Sequence, residues 1–494
     1  MSIPKVAFDF WFRWPGTRIG RMEATMRAIS VVLLFLVAGE CIAQDTGGAT
    51  GPALTPVLEE IPPRESSEKP RESYLIPALE IVGFDFALNR FNLRYTDRES
   101  FDVTASSVRR NLRTSWVTDN DNFEINQFLH PYQGSIYHTA ARSSGLGFWT
   151  SAAYTFAGSA LWEIAGETTP PSKNDQIASG IGGVFFGEAL FRMANLTLER
   201  GNEPSFWRGL AATAISPATG FNRFAFGGRF DSIFPGHKPA FYTQWNFGTT
   251  IAEHRVEGTS TRSRRHEAVA DFSIGYGLPG EPRYAYRRPF DYFNFEFTAS
   301  SSNVFENIMT RGLLAGSEYS GDAYHGVWGL YGTYDYMAPQ IFRVSSTGLS
   351  VGTTGQWGFH GPVILQGSAL GGVGYGAAGT VEGLSGDRDY HYGVTPQALL
   401  TFRLVFGKVA SLDLSGRGYQ ITRAGAASNR GWENVMRGDA ALTVRLSGPH
   451  AVTVKYLITR RDAHYPDVGV RDQRRGTIGV FYTLVGNSSL GAVE

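Results

Sequence analysis

From about His237 to Leu484 the chain alternates apolar with polar or small residues at a period of two. Phe293, Phe295 and Phe297 are interleaved with Tyr292, Asn294 and Glu296. Trp328, Leu330, Tyr334 and Tyr336 alternate with Gly329, Tyr331, Thr333 and Asp335. Leu442, Val444 and Leu446 alternate with Thr443, Arg445 and Ser447. Successive side chains of a strand point to opposite faces, so each such segment has one greasy and one polar face. Twelve segments repeat the pattern, near 237–253, 266–277, 288–303, 305–319, 324–338, 341–356, 359–378, 391–406, 409–424, 434–447, 450–462 and 474–485. Gly, Pro, Asp and Asn separate them. Lipid outside and a wet lumen inside produce this signature, and an even number of strands is the rule for single-chain barrels. The pattern predicts a mainly β fold: an antiparallel transmembrane β-barrel of about 12 strands over 237–485, with a tail at 486–494. A soluble β-sandwich is the competing architecture, but it predicts shorter strands and fewer aromatic residues at strand ends.

The first half reads differently. Ile177, Ile181, Val184, Glu188 and Phe191 recur at helical spacing, which predicts a helix from Ser172 to just before Gly201. Pro170 and Pro171 precede it, and Ser172 with Asp175 resembles a capping box with a shortened acid. A first helix is expected over Ser135–Ala165 and a third, short one over Ser205–Ile215 after Pro204. Ser143–Trp162 carries no charge over 20 residues, long enough to span a bilayer, but its Ser, Thr and Gly favour close helix packing instead. Alternation at Phe84–Tyr95, with a slip at Asn89–Arg90, reads as a bulged strand. His130 precedes a proline and is expected to be extended. Asp119–Asn122 reads as an acidic turn, lacking the Gly and Glu of a calcium loop. The mixed region 74–236 is thus expected to be an N-terminal α-helical insert packed in or under the barrel.

Residues 1–43 have the grammar of an export signal. Arg27 supplies the positive end, Ala28–Gly39 the apolar core, and Cys41 and Ala43 the small residues of a cleavage site after Ala43. The regular pattern begins at Met22, so Met22 or Met26 is the expected start, and Glu40 argues against lipidation of Cys41. Residues 44–73 are a Pro, Gly and Ser-rich linker too poor in apolar side chains to offset its ordering entropy.

Composition sharpens this picture in three ways. Fifty-nine glycines, 13% aromatic residues and only 18% charged ones suit an outer-membrane barrel better than a cytosolic enzyme. The 45 basic and 45 acidic residues balance, so nucleic acid is not an expected partner. The lone Cys41 lies in the leader, which removes disulfides, zinc–thiolate sites and cysteine nucleophiles from the mature chain. The expected partners are outer-membrane lipid and the outer-membrane assembly machinery. Thr477, Gly479, Tyr482 and Leu484 resemble the last-strand signal that this machinery reads, although ten residues follow it.

The candidate chemistry lies in Trp116–Arg192, where ionisable residues sit among small and aromatic ones. Glu163 and Glu167 are four apart, as are His138 and Arg142, and Glu188 and Arg192. Glu188 falls on the apolar stripe, so it must be paired or protonated. Two readings are open. One is a polar network that locks two small-residue helices together. The other is a hydrolytic or transfer site with Glu163, Glu167 or Glu188 as base and His130, His138, Arg142 and Arg192 around it. There is no His-Glu-x-x-His, His130-Pro131 is not a metal pair, and no known nucleophile motif occurs. Neither a metal nor another cofactor is therefore expected.

The same stretch resembles a bacterial family of unknown function, number 3943 among the domains of unknown function. The likeness rests on Asn126-Gln127, His130-Pro131-Tyr132, Gly134, Tyr137, Ala141-Arg142, Gly145, Trp162-Glu163, Glu167, Pro171-Ser172, Asp175, Gly187-Glu188 and Arg192. It implies an exported, outer-membrane protein of a Gram-negative-type bacterium and no known reaction, and it adds Asp175, Asn126, Gln127 and Tyr132 to the candidate binding residues. Three functions are open: a non-enzymatic barrel, an enzyme acting on envelope lipid or glycan, and a channel or importer whose inner face carries Arg445, Asp413 and Glu296.

Overall fold

The computed structural model describes residues 71–119, 121–199, 206–227, 239–255, 262–339, 341–359, 361–380, 390–424, 431–465 and 469–493. The expected export signal and nearly all of the linker lie outside them. The described strands are β1 Phe241–Arg255, β2 Arg262–Tyr276, β3 Phe293–Ser300, β4 Asn307–Gly321, β5 Tyr324–Met337, β6 Phe342–Gly358, β7 Val363–Thr380, β8 Tyr390–Phe406, β9 Ala410–Ile421, β10 Trp432–Ser447, β11 His450–Tyr465 and β12 Gly469–Val485. Each pairs antiparallel with the next, and β1 pairs with β12 from Gln244↔Val485 to His254↔Arg475, which closes the ring. Every expected segment became one strand.

Contacts between distant strands reveal which face is the lumen. Arg417 on β9 bonds Glu296 on β3, half the ring away, at 2.8 Å. Tyr419 on β9 donates to Asp335 on β5 at 2.7 Å, and Arg437 on β10 to Asn307 on β4 at 3.0 Å. Only side chains that point inward can meet so. The lumen is therefore the polar face of the alternation, and it is filled by its own side chains: charged ones around Glu296 and Arg417, and beside them a buried apolar cluster of Met309, Met337, Val344, Ile421 and Val435. The opposite face looks outward. On β10–β12 it leaves Leu442, Val444, Val454, Tyr456, Ile478, Val480 and Tyr482 exposed.

After β12 the tail turns into the mouth of the barrel. Gln356 and Gln366, which face the lumen, donate to Val493 O at 2.6 Å and Gly491 O at 2.7 Å. Leu490 and Ala492 bury against Tyr242 and Val405. Gly491 takes φ +89°, and a Cβ there would lie 2.9 Å from the Tyr242 ring. What was expected to be a plain tail is a cork.

The helices are α1 Leu75–Tyr95, α2 Arg98–Phe101, α3 Ala105–Asn111, α4 His130–Ser143, α5 Phe148–Ala165, α6 Lys173–Ile177, α7 Gly183–Glu199, α8 Phe206–Ile215 and α9 Pro217–Phe226, with π-helical turns at Ile125–Leu129 and Ala178–Gly182. Phe84–Tyr95 is thus helical, not a bulged strand. Its buried residues, Pro77, Ile81, Asp85 and Asn89, recur every fourth position, and two are polar, which hid the helical stripe from hydropathy. The expected first helix is two, because Gly145 takes φ +90° between α4 and α5. That break also removes the candidate spanning segment. His130 is helical, at φ −63° and ψ −48°, not extended. The π-turn before it widens the helix, and Pro131 has no N–H to offer the carbonyls of the preceding turn. The barrel supplies a donor there: Tyr334 Oη–H bonds Gln127 O at 2.7 Å.

The helices do not sit in the lumen or under it. They pack on the outer wall of β1–β8, because their partners are all outward residues. Phe186 stacks on Phe295 and Tyr334, Phe123 on Tyr336 and Tyr390, and Phe128 on Phe305. The lumen, already bridged by arginines and carboxylates, has no room for them. Half of the apolar face read as lipid-facing is covered by protein. Lys173–Glu199, apolar enough to cross a membrane, is the buried central helix of this domain. It crosses α4 closely, since a Cβ on Gly183 would lie 2.6 Å from Gly134 Cα.

Candidate functional site

The predicted residues gather into two buried clusters, not one. The first is built on α4 and α7. His138 and Arg142 are one turn apart on α4, and Glu188 and Arg192 one turn apart on α7, so the two faces meet. Glu188 accepts from Arg142 Nε at 2.7 Å, from Arg142 Nη2 at 3.1 Å and from Arg192 Nε at 2.9 Å, and its Oε2 lies 3.0 Å from His138 Nε2. Arg192 continues to Asp291 Oδ1 at 2.9 Å and Pro289 O at 2.6 Å in the β2–β3 connection. Glu188 and His138 are both 0% exposed. The arginines hold the Glu188 carboxyl far below the usual carboxylate range against the desolvation that opposes them, while burial pushes His138 below its usual value. Two cations and two carboxylates balance, which is the condition for burying charge. The network bolts the helical domain to the barrel.

The second cluster lies where α4, α5 and α6 meet β8. Ser172 caps α6 as expected, its Oγ accepting from Asp175 N at 3.2 Å, and its own N–H donates to Glu163 Oε2 at 2.8 Å. His130 Nε2 faces Asp175 Oδ2 at 3.8 Å, and its Nδ1 lies 3.4 Å from Ser179 Oγ. One ligand atom each from His130, Glu163 and Asp175 fall within 4.8 Å of one another. Burial, then the neighbouring Asp175, pushes Glu163 well up; burial, then Asp119, does the same to Asp175. Glu167 is raised by burial, and its oxygens accept from Trp162 Nε1 at 2.7 Å and Thr169 Oγ1 at 2.9 Å. Of the acidic turn, Asn120 lies outside the described residues, and Asp119 N–H bonds Asn174 Oδ1 at 2.8 Å.

Asn126 and Gln127 serve docking. Asn126 donates to Tyr390 Oη at 2.9 Å, and Gln127 to Tyr392 Oη at 3.0 Å. Asn174 also reaches Tyr392, at 2.8 Å. Tyr132 packs on Phe128 and Phe186. Sequence reasoning missed the barrel's share: Tyr334, Tyr390, Tyr392 and Asp291. No signal set these tyrosines apart, since outward aromatics near strand ends equally suit the aromatic girdle of a lipid-facing barrel.

A third group involves α1. Tyr137 donates to Asp85, a buried carboxylate, and Asn222 donates to Glu80 at 3.3 Å. Burial pushes Asp85 from 3.8 and Glu80 from 4.5 up to about 7 each. With folded values raised, the stability they contribute is complete below the unfolded values and is lost as pH rises through about 7. Amide-exchange protection of α1, corrected for intrinsic rate, should therefore fall between pH 5 and pH 8, and Asp85→Asn should flatten most of that fall. Equal protection at both pH values in the parent chain would contradict the assignment.

Residues 115–218 match the model of a family described as a domain of unknown function, DUF3943. No curated protein matches the chain. Among solved structures the chain is similar to the NanC porin, at 7% identity and a TM-score of 0.25 over 48% of this chain and 98% of that one. It is similar to Neisserial surface protein A, at 12% identity and a TM-score of 0.19 over 50% and 99%. It is also similar to the outer membrane channel DcaP of Acinetobacter baumannii, at 8% identity and a TM-score of 0.24 over 51% and 98%.

Proposed function

We propose that this protein is a non-conducting outer-membrane barrel, an anchor that holds its helical domain beside the membrane. The observation that carries this reading is a lumen bridged from wall to wall, with Glu296 held by Arg417 and by Arg311 at 2.8 Å each. Below that layer is a cavity of about 250 Å3, lined by Asp271, Asp413 and Asp439 and by Arg403, Arg437 and Lys455. The tail closes the mouth beyond it.

Membrane residence is supported by the outer rows of aliphatic side chains on β10–β12, which water would not tolerate over such an area. Those rows stop toward the β11–β12 connection, where the outward residues are Arg460, Asp462, Asp472 and Arg474. Tyr334, Tyr336, Tyr390 and Tyr392, on which the helical domain is docked, lie at that same polar end. From there the domain reaches down the wall to Asp291 and Pro289 in the β2–β3 connection at the opposite end. The reading as an enzyme acting on envelope lipid or glycan has less support, because Glu188 and His138 are wholly buried and Glu188 is already held by two arginines.

The full chain should fractionate with outer membranes, show a heat-modifiable band on gels, and leave a planar bilayer at the conductance of a bare one. Stepwise conductance by the unaltered chain, or recovery in the cytosol, would overturn the reading.

A further inference from the structure

We infer that His130, Glu163 and Asp175 form a buried site for a divalent first-row transition-metal ion, Zn2+ or Mn2+. The three ligand atoms converge within 4.8 Å, from three separate helices, α4, α5 and α6. Bonds of about 2.0–2.2 Å from one ion would draw them together with small side-chain movements.

A second, independent observation points the same way. His130 is 7% exposed, and among the described residues no hydrogen bond reaches its Nε2. The ring is oriented from its other side, where Ser179 Oγ meets Nδ1. That is the arrangement by which a second-shell group fixes the tautomer of a metal-binding imidazole. Glu163 accepts one hydrogen bond among the described residues, from Ser172 N–H, which leaves Oε1 for an ion.

Charge completes the argument. Among the described residues, Glu163, Glu167 and Asp175 have no ion pair with lysine or arginine. The Glu188 cluster a few turns away has two arginines for its carboxylates. A fold that neutralises one buried acid group so completely, yet leaves the other without a cation, has a place for one. An imidazole nitrogen beside two carboxylates suits Zn2+ or Mn2+ better than the all-oxygen preference of Mg2+ or Ca2+. This site goes beyond the anchor reading and stands without it.

The test uses the full chain, purified from membranes without a histidine tag, loaded separately with ZnCl2 and MnCl2, and dialysed. Elemental analysis should find one ion per chain, and thermal unfolding of the helical domain should shift upward with the ion and back with EDTA. His130→Asn and Asp175→Asn should lose both the ion and the thermal response. Ser179→Ala, which frees only the far side of the ring, should weaken binding about tenfold. Glu163→Gln keeps the proposal falsifiable if the other variants fold poorly. If the carboxyls merely hold protons, it retains the parent's unfolding temperature and neither ion changes it. Parent chain that stays metal-free after loading, with unfolding indifferent to both ions and to EDTA, overturns the site, as does full ion content in His130→Asn.

Discussion

Glu188→Ala should release the helical domain from the barrel while leaving the barrel intact. The substitution removes the carboxylate that two nearly unexposed guanidinium groups share: Arg142 loses its ion-pair partner Glu188, and Arg192 loses one of its two, keeping Asp291. Breaking a buried pair by removing one partner costs about 3–5 kcal/mol, because the survivor is an uncompensated buried charge. The loss here falls on both helices of the domain's central crossing and on its link to Asp291. Proteolysis of Lys173–Glu199 under native conditions should become rapid, with the heat-modifiable band unchanged. Glu188→Gln keeps the shape and removes the charge, so it should cost nearly as much. The double variant Glu188→Gln, Arg142→Gln should cost less than the sum of the singles, which marks direct coupling. Acid should be slow to mimic these variants. The Glu188 carboxyl is depressed, so its contribution is present above the unfolded value of 4.5 and is lost only as pH falls far below it. A parent-like domain in Glu188→Ala would remove the claim that this network holds it.

The barrel was legible because its signal is repeated. Each of twelve strands carries the same inward and outward alternation, and a slip of one residue would turn every charged lumen residue into lipid. Thus Glu296 and Asp335 could be placed on the inner face from their neighbours alone. The pairing of Glu188 with Arg192 was legible for a similar reason, since four residues on one helix leave little choice. What failed to show was anything decided between elements. The outward aromatic residues of β3, β5 and β8 look the same in sequence whether lipid or a helix covers them. The split of the acidic residues into two clusters depends on the helix crossing at Gly134, Gly183 and Gly187, which the sequence does not disclose. Asp85 and Asn89 in the buried stripe of α1 disguised a helix as a strand, because polar residues bonded inside a domain carry no hydrophobic periodicity. His130 was misplaced by a sound local rule about prolines, overridden when a tyrosine from the barrel bonded a carbonyl of the preceding turn.

The larger functional change should come from opening the lumen, and it should require several alterations together. Three obstructions lie in series along the barrel: the tail bonded to Gln356 and Gln366, the Glu296–Arg311–Arg417 layer, and the buried apolar cluster of Met309, Met337, Val344, Ile421 and Val435. Series resistances add, so the tightest one sets the current. Truncation after Gly486 alone leaves the charged layer closed, and should conduct no better than the parent. The triple variant Glu296→Ala, Arg311→Ala, Arg417→Ala alone leaves the cork in place, and should conduct little. Combined with each other and with Met309→Ala and Met337→Ala, they should give ohmic steps well above the bare bilayer, with the heat-modifiable band as the check that the barrel has formed. If the combined variant forms a barrel and stays silent, the closure lies elsewhere along the lumen. If the truncation alone conducts fully, the cross-lumen ion pairs are a lining and not a barrier.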